Sequence, residues 1–508
     1  MEGQTLKDCF TKIALVKGNK IAIRFLRHGV IETEISYLEL NQDSNRLANF
    51  FIDQGVEKED RVVLYLPKSV FFVVAHLALQ KIGAIAVPLN PGFKKSEMAY
   101  LLGDADAKLV IAGTLQKSTV TQIDPRLKTI VIKSETPYQA LDFFRSAPDE
   151  VPEISIVQTD PGLIVYTSGT TGKPKGAILT QKNLVHDAGN VIKIWEIVDT
   201  DVLCHALPLF HVHGLCFALH TSLLAGAQVV MLDEFSPQRV VETLANKTKK
   251  TCTVFMAVPA MYNKLMDYLA EKEMSFDHIR LFTSGSAPLL SKDYDRINKI
   301  FGKEPVEREG MSETGMNFSN PIKGVRKPGS IGIPLPDLEV RIVDLDTFKD
   351  VDPGQEGEIW LKGPAVTPGY WRKPAETQKT FEAGWFRTGD LGRIDDDGYY
   401  YLTDRIKHII ISGGENISPK EIEAVINQLD QVVESTVVGI VDDKWGEKVV
   451  AAVVPKIDAT VKGADIQSYC KQHLHGWKCP KEVVFVDALP KNTMGKVLKE
   501  DVKVFFRS

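Results

Sequence analysis

The sequence predicts an α/β protein of more than one domain, closed by a smaller α+β unit. Three observations carry this. Helix-like and strand-like segments alternate through the first part of the chain, short strands punctuated by Gly, Pro and Asp take over from Gly357, and the texture changes again after Asp404. The length of 508 residues fits about two to four domains at roughly 150 residues each.

The elements follow in order. Leu38–Gln54 has apolar residues at helical spacing; RVVLYL (Arg61–Leu66) reads as a buried strand, Val70–Ile82 as a helix and AIAVPLN as the next strand. LVIAG (Leu109–Gly113) opens a further unit of the same kind, and the polar stretch Ala147–Asp160 reads as a linker before LIVYT (Leu163–Thr167). GEIWLKG, GWFRTGDLG and DDDGYYYLTD suggest a meander or small barrel. HIIIS, PKEIEAVINQL, VESTVVGIV, EKVVAAVVP, DIQSYCKQHL and EVVFV then read as strand, helix, strand, strand, helix and strand.

Composition narrows the class. Hydrophobic residues are 44% and charged residues 25%, which excludes disordered and collagen-like chains. With 61 Lys and Arg against 66 Asp and Glu, a net charge of -5 gives no bulk attraction to nucleic acid. The cysteines Cys9, Cys204, Cys216, Cys252, Cys470 and Cys479 form no CxxC pair, so neither structural zinc nor a disulfide framework is expected. The N-terminus lacks an apolar signal region, and the longest apolar stretches, such as Val70–Leu79, fall far short of the ~20 residues of a membrane span. A cytoplasmic protein without a transmembrane segment is expected.

The segment with the most chemistry is YTSGTTGKPKGAILT, Tyr166 to Thr180. Glycines let backbone N–H groups approach oxyanions, hydroxyls add donors, and Lys173 and Lys175 add charge. The Walker pattern fails, because Pro174 follows Lys173 where Ser or Thr is needed for magnesium.

TSGTTGKPKG resembles the phosphate-loop signature of the AMP-forming, adenylate-forming enzymes, whose members include acyl-CoA synthetases, peptide-synthetase adenylation domains and luciferases. Further matches occur in the family's order: LPLFHVHG from Leu207, SGSAPL from Ser284, GMSET from Gly310, WFRTGD from Trp385, RIKHIIISGGENISPKEIE from Arg405 and PKNTMGKV from Pro490. The resemblance implies a large N-terminal domain of stacked mixed sheets with a small β-barrel over residues 1–404, a hinge at 405–408, and a small mobile α+β domain at 409–508. It also implies Mg²⁺, with ATP and CoA as co-substrates. Turning a carboxylate into an acyl adenylate makes AMP the leaving group, and the charge gathering on the α-phosphate calls for cations and donors placed in advance.

By resemblance, Thr167, Ser168, Gly169, Thr170, Thr171 and Gly172 hold the β- and γ-phosphates with help from Lys175, and Thr171 and Glu313 bind the metal. Gly285, Ser286, Ala287 and Pro288 line the adenine, next to Glu309, Gly310, Met311 and Ser312. Asp390 receives the ribose hydroxyls, a role for an ionised two-oxygen acceptor, and Arg405 contacts ribose or phosphate. Lys496 is the adenylation lysine. A rotation would then present Ser412, Gly413 and Gly414 to the acyl site for thioester formation, with Lys478 meeting CoA phosphates. His211 is expected near the carboxylate. Met256, Val258, Met261, Lys264, Gly315 and Met316 join it in the acyl pocket.

Two positions depart from the pattern. Glu309 stands where most relatives stack an aromatic ring on adenine, a contact worth on the order of 1 kcal/mol. His408 stands where a hinge Asp is usual, which raises the expectation of a rotation sensitive to pH, since imidazole titrates near neutrality. An aliphatic fatty acid is the first substrate expectation. A malonyl-CoA synthetase is the second, with Lys264 in place of the expected pocket arginine. A carrier-protein loader and a non-catalytic binding relative complete the alternatives; a monomer or homodimer is expected.

Overall fold

The computed structural model describes residues 3–167, 173–247, 251–412, 415–442, 445–492 and 495–506. The chain packs as two compact units: Met1–Glu339 with Leu361–Phe386, and Val340–Trp360 with Arg387–Ser508.

The first unit contains two mixed sheets. In the six-stranded sheet, Arg61–Tyr65 lies between Leu109–Gly113 and Ile85–Pro88; Thr129–Ile132 extends one flank, and Pro161–Thr167 with Lys175–Thr180 the other. All its pairings are parallel except the last. Strands covered on both faces read as continuous apolar runs, and RVVLY and LVIAG do so. The helix Val70–Ile82 is buried along its whole length, which explains its all-round apolar sequence. It is pinned to helix Tyr37–Asp53 by buried Lys81, whose Nζ donates to the Asn41 carbonyl at 2.9 Å and to Asn41 Oδ1 at 2.7 Å. That second helix starts with a capping box: Ser36 Oγ accepts the Glu39 N–H and the Glu39 carboxylate accepts the Ser36 N–H.

The nine-stranded sheet forms the other layer of strands. Val306–Met311, Leu281–Ser284, Val254–Ala257, Val202–His205, Gln228–Leu232 and Ile21–Arg27 run parallel in that spatial order. Antiparallel strands Gly315–Ser319 and Val30–Ser36 flank them, with Ile333–Pro334 outermost beside the former. The carboxyl ends of Val254–Ala257, Leu281–Ser284 and Val306–Met311 therefore lie side by side.

In the second unit the expected meander is part of a five-stranded sheet in which Trp385–Ile394 and Tyr400–Arg405 pair antiparallel, putting Asp390 opposite Arg405. The closing α+β texture was legible: Ile410–Ser412, Pro419–Ile426, Val432–Asp442, Gly446–Pro455, Gly463–His473 and Glu482–Phe485 follow the expected order. Alternation along its long hairpin supplies two cores. Val437 and Val449 pack with Ile422 and Ile466 on one face, whereas Val438 and Val450 pack with Val502 and Phe506 on the other. Residues 405–408 are a strand end followed by a 3₁₀ turn, Ile406–His408. Among the described residues, no helix is long and apolar enough to cross a membrane.

Candidate active site

The phosphate-loop segment springs from a hairpin. Thr167 and Lys175 face each other at the mouth of the antiparallel pair Pro161–Thr167 and Lys175–Thr180. Ser168, Gly169, Thr170, Thr171 and Gly172 lie outside the described residues. The mouth itself is braced. Tyr166 Oη donates to Asp104 at 2.9 Å, Lys373 pairs with the same carboxylate at 2.5 Å, and Lys173 stacks over the Tyr100 ring.

Glu313 is buried at 7% exposure. Its Oε1 accepts hydrogen bonds from Thr167 Oγ1 at 3.2 Å and from Tyr370 Oη at 3.1 Å, and its carbonyl accepts the Thr367 N–H at 2.7 Å. Lys175 lies over the face of the same Tyr370 ring and pairs with Glu376. Tyr370 and Glu376 belong to stretches that the motif reading passed over. Their signal was only a Tyr in GYW and an acid at the start of the short helix Pro374–Thr380.

The carboxyl ends of the parallel strands bring together Gly285, Ser286, Ala287 and Pro288 with Glu309, Gly310 and Met311. Open parallel sheets bind ligands at such ends. Gly285 permits close approach: a Cβ there would sit 2.6 Å from Arg308 Nε and 2.7 Å from the Arg308 carbonyl oxygen. Ser286 adopts φ +69°, a left-handed conformation that costs about 1 kcal/mol or more in a non-glycine residue and concentrates at ligand sites. Its Oγ lies 3.2 Å from His213 Nδ1. Glu309 accepts the Asn317 Nδ2 hydrogen bond at 3.0 Å, so its carboxylate is tied to the neighbouring strand. Ser312 follows in the turn to Gly315–Ser319.

Of the expected acyl-pocket residues, Met256, Val258, Met261 and Met316 are buried, Gly315 turns at φ +72°, and Lys264 is exposed on helix Pro259–Tyr268. The buried cation of this region is a residue that sequence reasoning missed, Arg308. It is 3% exposed, its guanidinium lies 5.2 Å from the Phe217 ring centroid, and none of its three side-chain nitrogens has a hydrogen-bond partner among the described residues. Burial pulls its pKa down to about 10, with Glu309 and Asp187 opposing. Asp187 is itself pushed up to about 7 by burial, against a 2.8 Å hydrogen bond from the Met316 N–H and the charge of Arg308. A basic residue inside the apolar strand pattern of VEREGM was the available signal. Burial pulls His211 down to about 4 and His213 well below the usual imidazole range, so both rings are neutral near pH 7.

Within the second unit, buried Asp390 and half-buried Arg405 form a two-pronged pair, 2.6 Å from Nε to Oδ1 and 3.3 Å from Nη2 to Oδ2. Lys496 shares their surroundings: burial pulls it down to about 7, Arg405, Lys407 and Lys420 add repulsion, and Asp390 opposes. Neighbouring Asp404 is 1% exposed and receives Ser418 Oγ at 2.7 Å and the Lys420 N–H at 3.1 Å, fixing the start of helix Pro419–Ile426. The pH-sensitive hinge is corrected here. Burial and the charges of Lys499 and Lys407 hold His408 down to about 3, so it stays neutral through the physiological range. Ser412 is buried, Gly413 and Gly414 lie outside the described residues, and Lys478 pairs with Glu421 at 2.7 Å.

The first unit thus brings a lysine at a hairpin mouth and a braced buried carboxylate, and the second unit an Asp–Arg pair beside a lysine of lowered pKa. The family model described as AMP-binding enzyme matches residues 10–371, and the AMP-binding enzyme C-terminal domain matches residues 421–496. The chain belongs to this family and is an AMP-forming carboxylate–CoA ligase. It is 35% identical over 483 residues to the mitochondrial malonate–CoA ligase of Bos taurus, covering 88% of this chain and 82% of that one. It is 33% identical over 478 residues to a long-chain-fatty-acid–CoA ligase of Mycobacterium tuberculosis, covering 92% of each. The crystal structure of ATP-bound MatB from Rhodopseudomonas palustris superposes with a TM-score of 0.93 at 35% identity, covering 99% of both chains.

Proposed function

We propose that this ligase activates a short dicarboxylic acid, with malonate the first candidate, and that Arg308 receives the second carboxylate. The observation that carries the reading is the buried guanidinium without a hydrogen-bond partner among the described residues. Enclosing such a group costs several kcal/mol unless an anion meets it, and a carboxylate matches its fork with two parallel bonds. Glu309 and Asp187 offset part of its charge, but neither donates or accepts a hydrogen bond with it. A fatty acid brings only methylenes to this place. The preference for an aliphatic monocarboxylate drawn from sequence is therefore reversed in favour of the dicarboxylate, and the malonate–CoA ligase and MatB likenesses support the same order.

The assigned roles follow from the chemistry each group has available. The reacting carboxylate is already ionised near pH 7, so it needs orientation rather than a base, and a neutral His211 can orient it. Lys175 and Lys496 would neutralise phosphate charge, Asp390 would take the ribose hydroxyls, and the stretches at Gly285–Pro288 and 309–312 would hold the base. Mg²⁺ fits the donors: Glu313 and the Thr171 hydroxyl are hard oxygen ligands, which this ion prefers. When bound it supplies charge neutralisation between the phosphates. Thr167 and Tyr370 keep the Glu313 carboxylate in one orientation. Ser412, Gly413, Gly414 and Lys478 are assigned to the CoA step.

The test is AMP release with Mg-ATP and CoA across oxalate, malonate, methylmalonate, succinate, butyrate and octanoate, for the native chain and for Arg308→Met. Malonate should lead, and Arg308→Met should lower its kcat/KM about 100-fold or more while butyrate keeps its rate. Octanoate leading in the native chain, with the malonate-to-butyrate ratio unmoved in the variant, would sink the assignment.

A further inference from the structure

The six-stranded sheet holds a second crevice that the ligase reading leaves unused. Its chain runs from Arg61–Tyr65 to Ile85–Pro88 on one side, then crosses to Leu109–Gly113 and Thr129–Ile132 on the other. Such a reversal splays the connections apart at the carboxyl ends of the strands where it occurs, here Arg61–Tyr65 and Leu109–Gly113. The phosphate-loop hairpin lies on the opposite flank of the sheet.

On this side of the sheet, residues 66–71, leaving strand Arg61–Tyr65, and 132–134 with Thr136, at the end of Thr129–Ile132, line a cavity of about 30 Å³, with Arg27 and Glu32 also in its wall. By the measure in which one water needs roughly 10–15 Å³, that admits about two waters or a single tetrahedral group. Arg27 and Glu32 pair with each other, which leaves Lys68 and Lys133 as the uncompensated charges of the lining, with the hydroxyls of Ser69, Ser134 and Thr136. Lys68 Nζ donates to the His205 carbonyl at 2.9 Å, and no other hydrogen bond of its ammonium is made among the described residues. The thirteen-residue helix Val70–Ile82 also begins at this wall, with Ser69 as its cap.

We propose that this cavity binds a tetrahedral oxyanion, either inorganic phosphate or the phosphate of a small monoester, at a site separate from that for the nucleotide. Lys68 and Lys133 supply the charge, Lys68 has donors to spare, and the three hydroxyls fill the remaining directions. The site is also linked to protons. Burial pulls Lys68 down to about 7, with Cys204 and Asp233 opposing; His205, Arg27, Glu32, Lys133 and Tyr138 are further titratable or charged groups around it. An anion alongside restores the ammonium, so binding above neutrality takes up a proton and weakens as pH rises.

The experiment is calorimetry on the full chain with a non-hydrolysable ATP analogue saturating the nucleotide site, titrating inorganic phosphate in one arm and glycerol phosphate in the other. The expected result is binding in at least one arm, with heats that depend on the buffer's ionisation enthalpy, weakened about tenfold or more by Lys68→Met and several-fold by Lys133→Ala. The tighter arm identifies the source of the anion. Lys133 is exposed, so its variant decides the matter if Lys68→Met fails to fold. Absence of binding in both arms, or binding that the folded variants leave intact, overturns the proposal.

Discussion

Two lysines that the sequence assigns to the same nucleotide sit in opposite company. Lys175, in the first unit, is paired with Glu376 and lies over the Tyr370 ring, so its charge is already balanced. Lys496, in the second unit, has Arg405, Lys407 and Lys420 as cationic neighbours with Asp390 opposing them, and its pKa falls to about 7. The difference separates two ways of preparing a cation. In the roles proposed above, Lys175 would be held ready by a counter-ion that an incoming phosphate must replace. Lys496 carries repulsion that an incoming phosphate would relieve, so in its proposed role its attraction would be spent on the reacting charge. That is where electrostatic preorganisation lowers a barrier.

The widest separation between the two should appear on removal of the charge. Lys496→Ala should cut carboxylate-dependent ATP–pyrophosphate exchange on the order of 10²–10³-fold, whereas thioester formation from supplied acyl adenylate and CoA should change little. The pH dependence sharpens it. Only the protonated amine attracts phosphate, and in the free enzyme its protonated fraction drops as pH rises through about 7. The kcat/KM for ATP should therefore decline above neutrality, and Lys496→Arg should flatten that decline, since a guanidinium remains charged. Equal losses in both half-reactions, or an identical pH profile for the arginine variant, would break the contrast.

Part of this difference was visible in the sequence and part was not. The motif runs located both lysines, Glu313 and Asp390, and the apolar runs located the central strands, because those signals are local. The partners are not local. Glu376 reaches Lys175 across 201 positions, and Tyr370 reaches Glu313 across 57. Arg308 was local but missed: attention fell on Glu309 next to it, although alternation along strand Val306–Met311 sends the two side chains to opposite faces. His408 shows the converse. Its identity suggested a switch, and only the burial and the cations around it reveal that it stays neutral.

A smaller effect tests how firmly the first unit holds its carboxylate. Tyr370→Phe removes one hydrogen bond to Glu313 and keeps the ring beneath Lys175. A net loss of about 1 kcal/mol corresponds to roughly a fivefold rise in the Mg²⁺ needed for half-maximal rate, with the rate at saturating metal preserved. A fall in kcat without a shift in the metal titration would mean that the phenol acts elsewhere.

The smallest effect carries the opposite sign. If Glu376 is a placeholder for phosphate, Glu376→Gln should release Lys175 and lower the KM for ATP. A partly exposed ion pair is worth up to about 1 kcal/mol, so the gain should be about two- to fivefold with kcat unchanged. The same change would remove the group that aims Lys175, and aim counts most when the phosphate charge is moving. A raised KM, or a lowered kcat at saturating ATP, would make Glu376 a positioning residue rather than a competitor. The two lysines would then differ in how they are held and no longer in what they wait for.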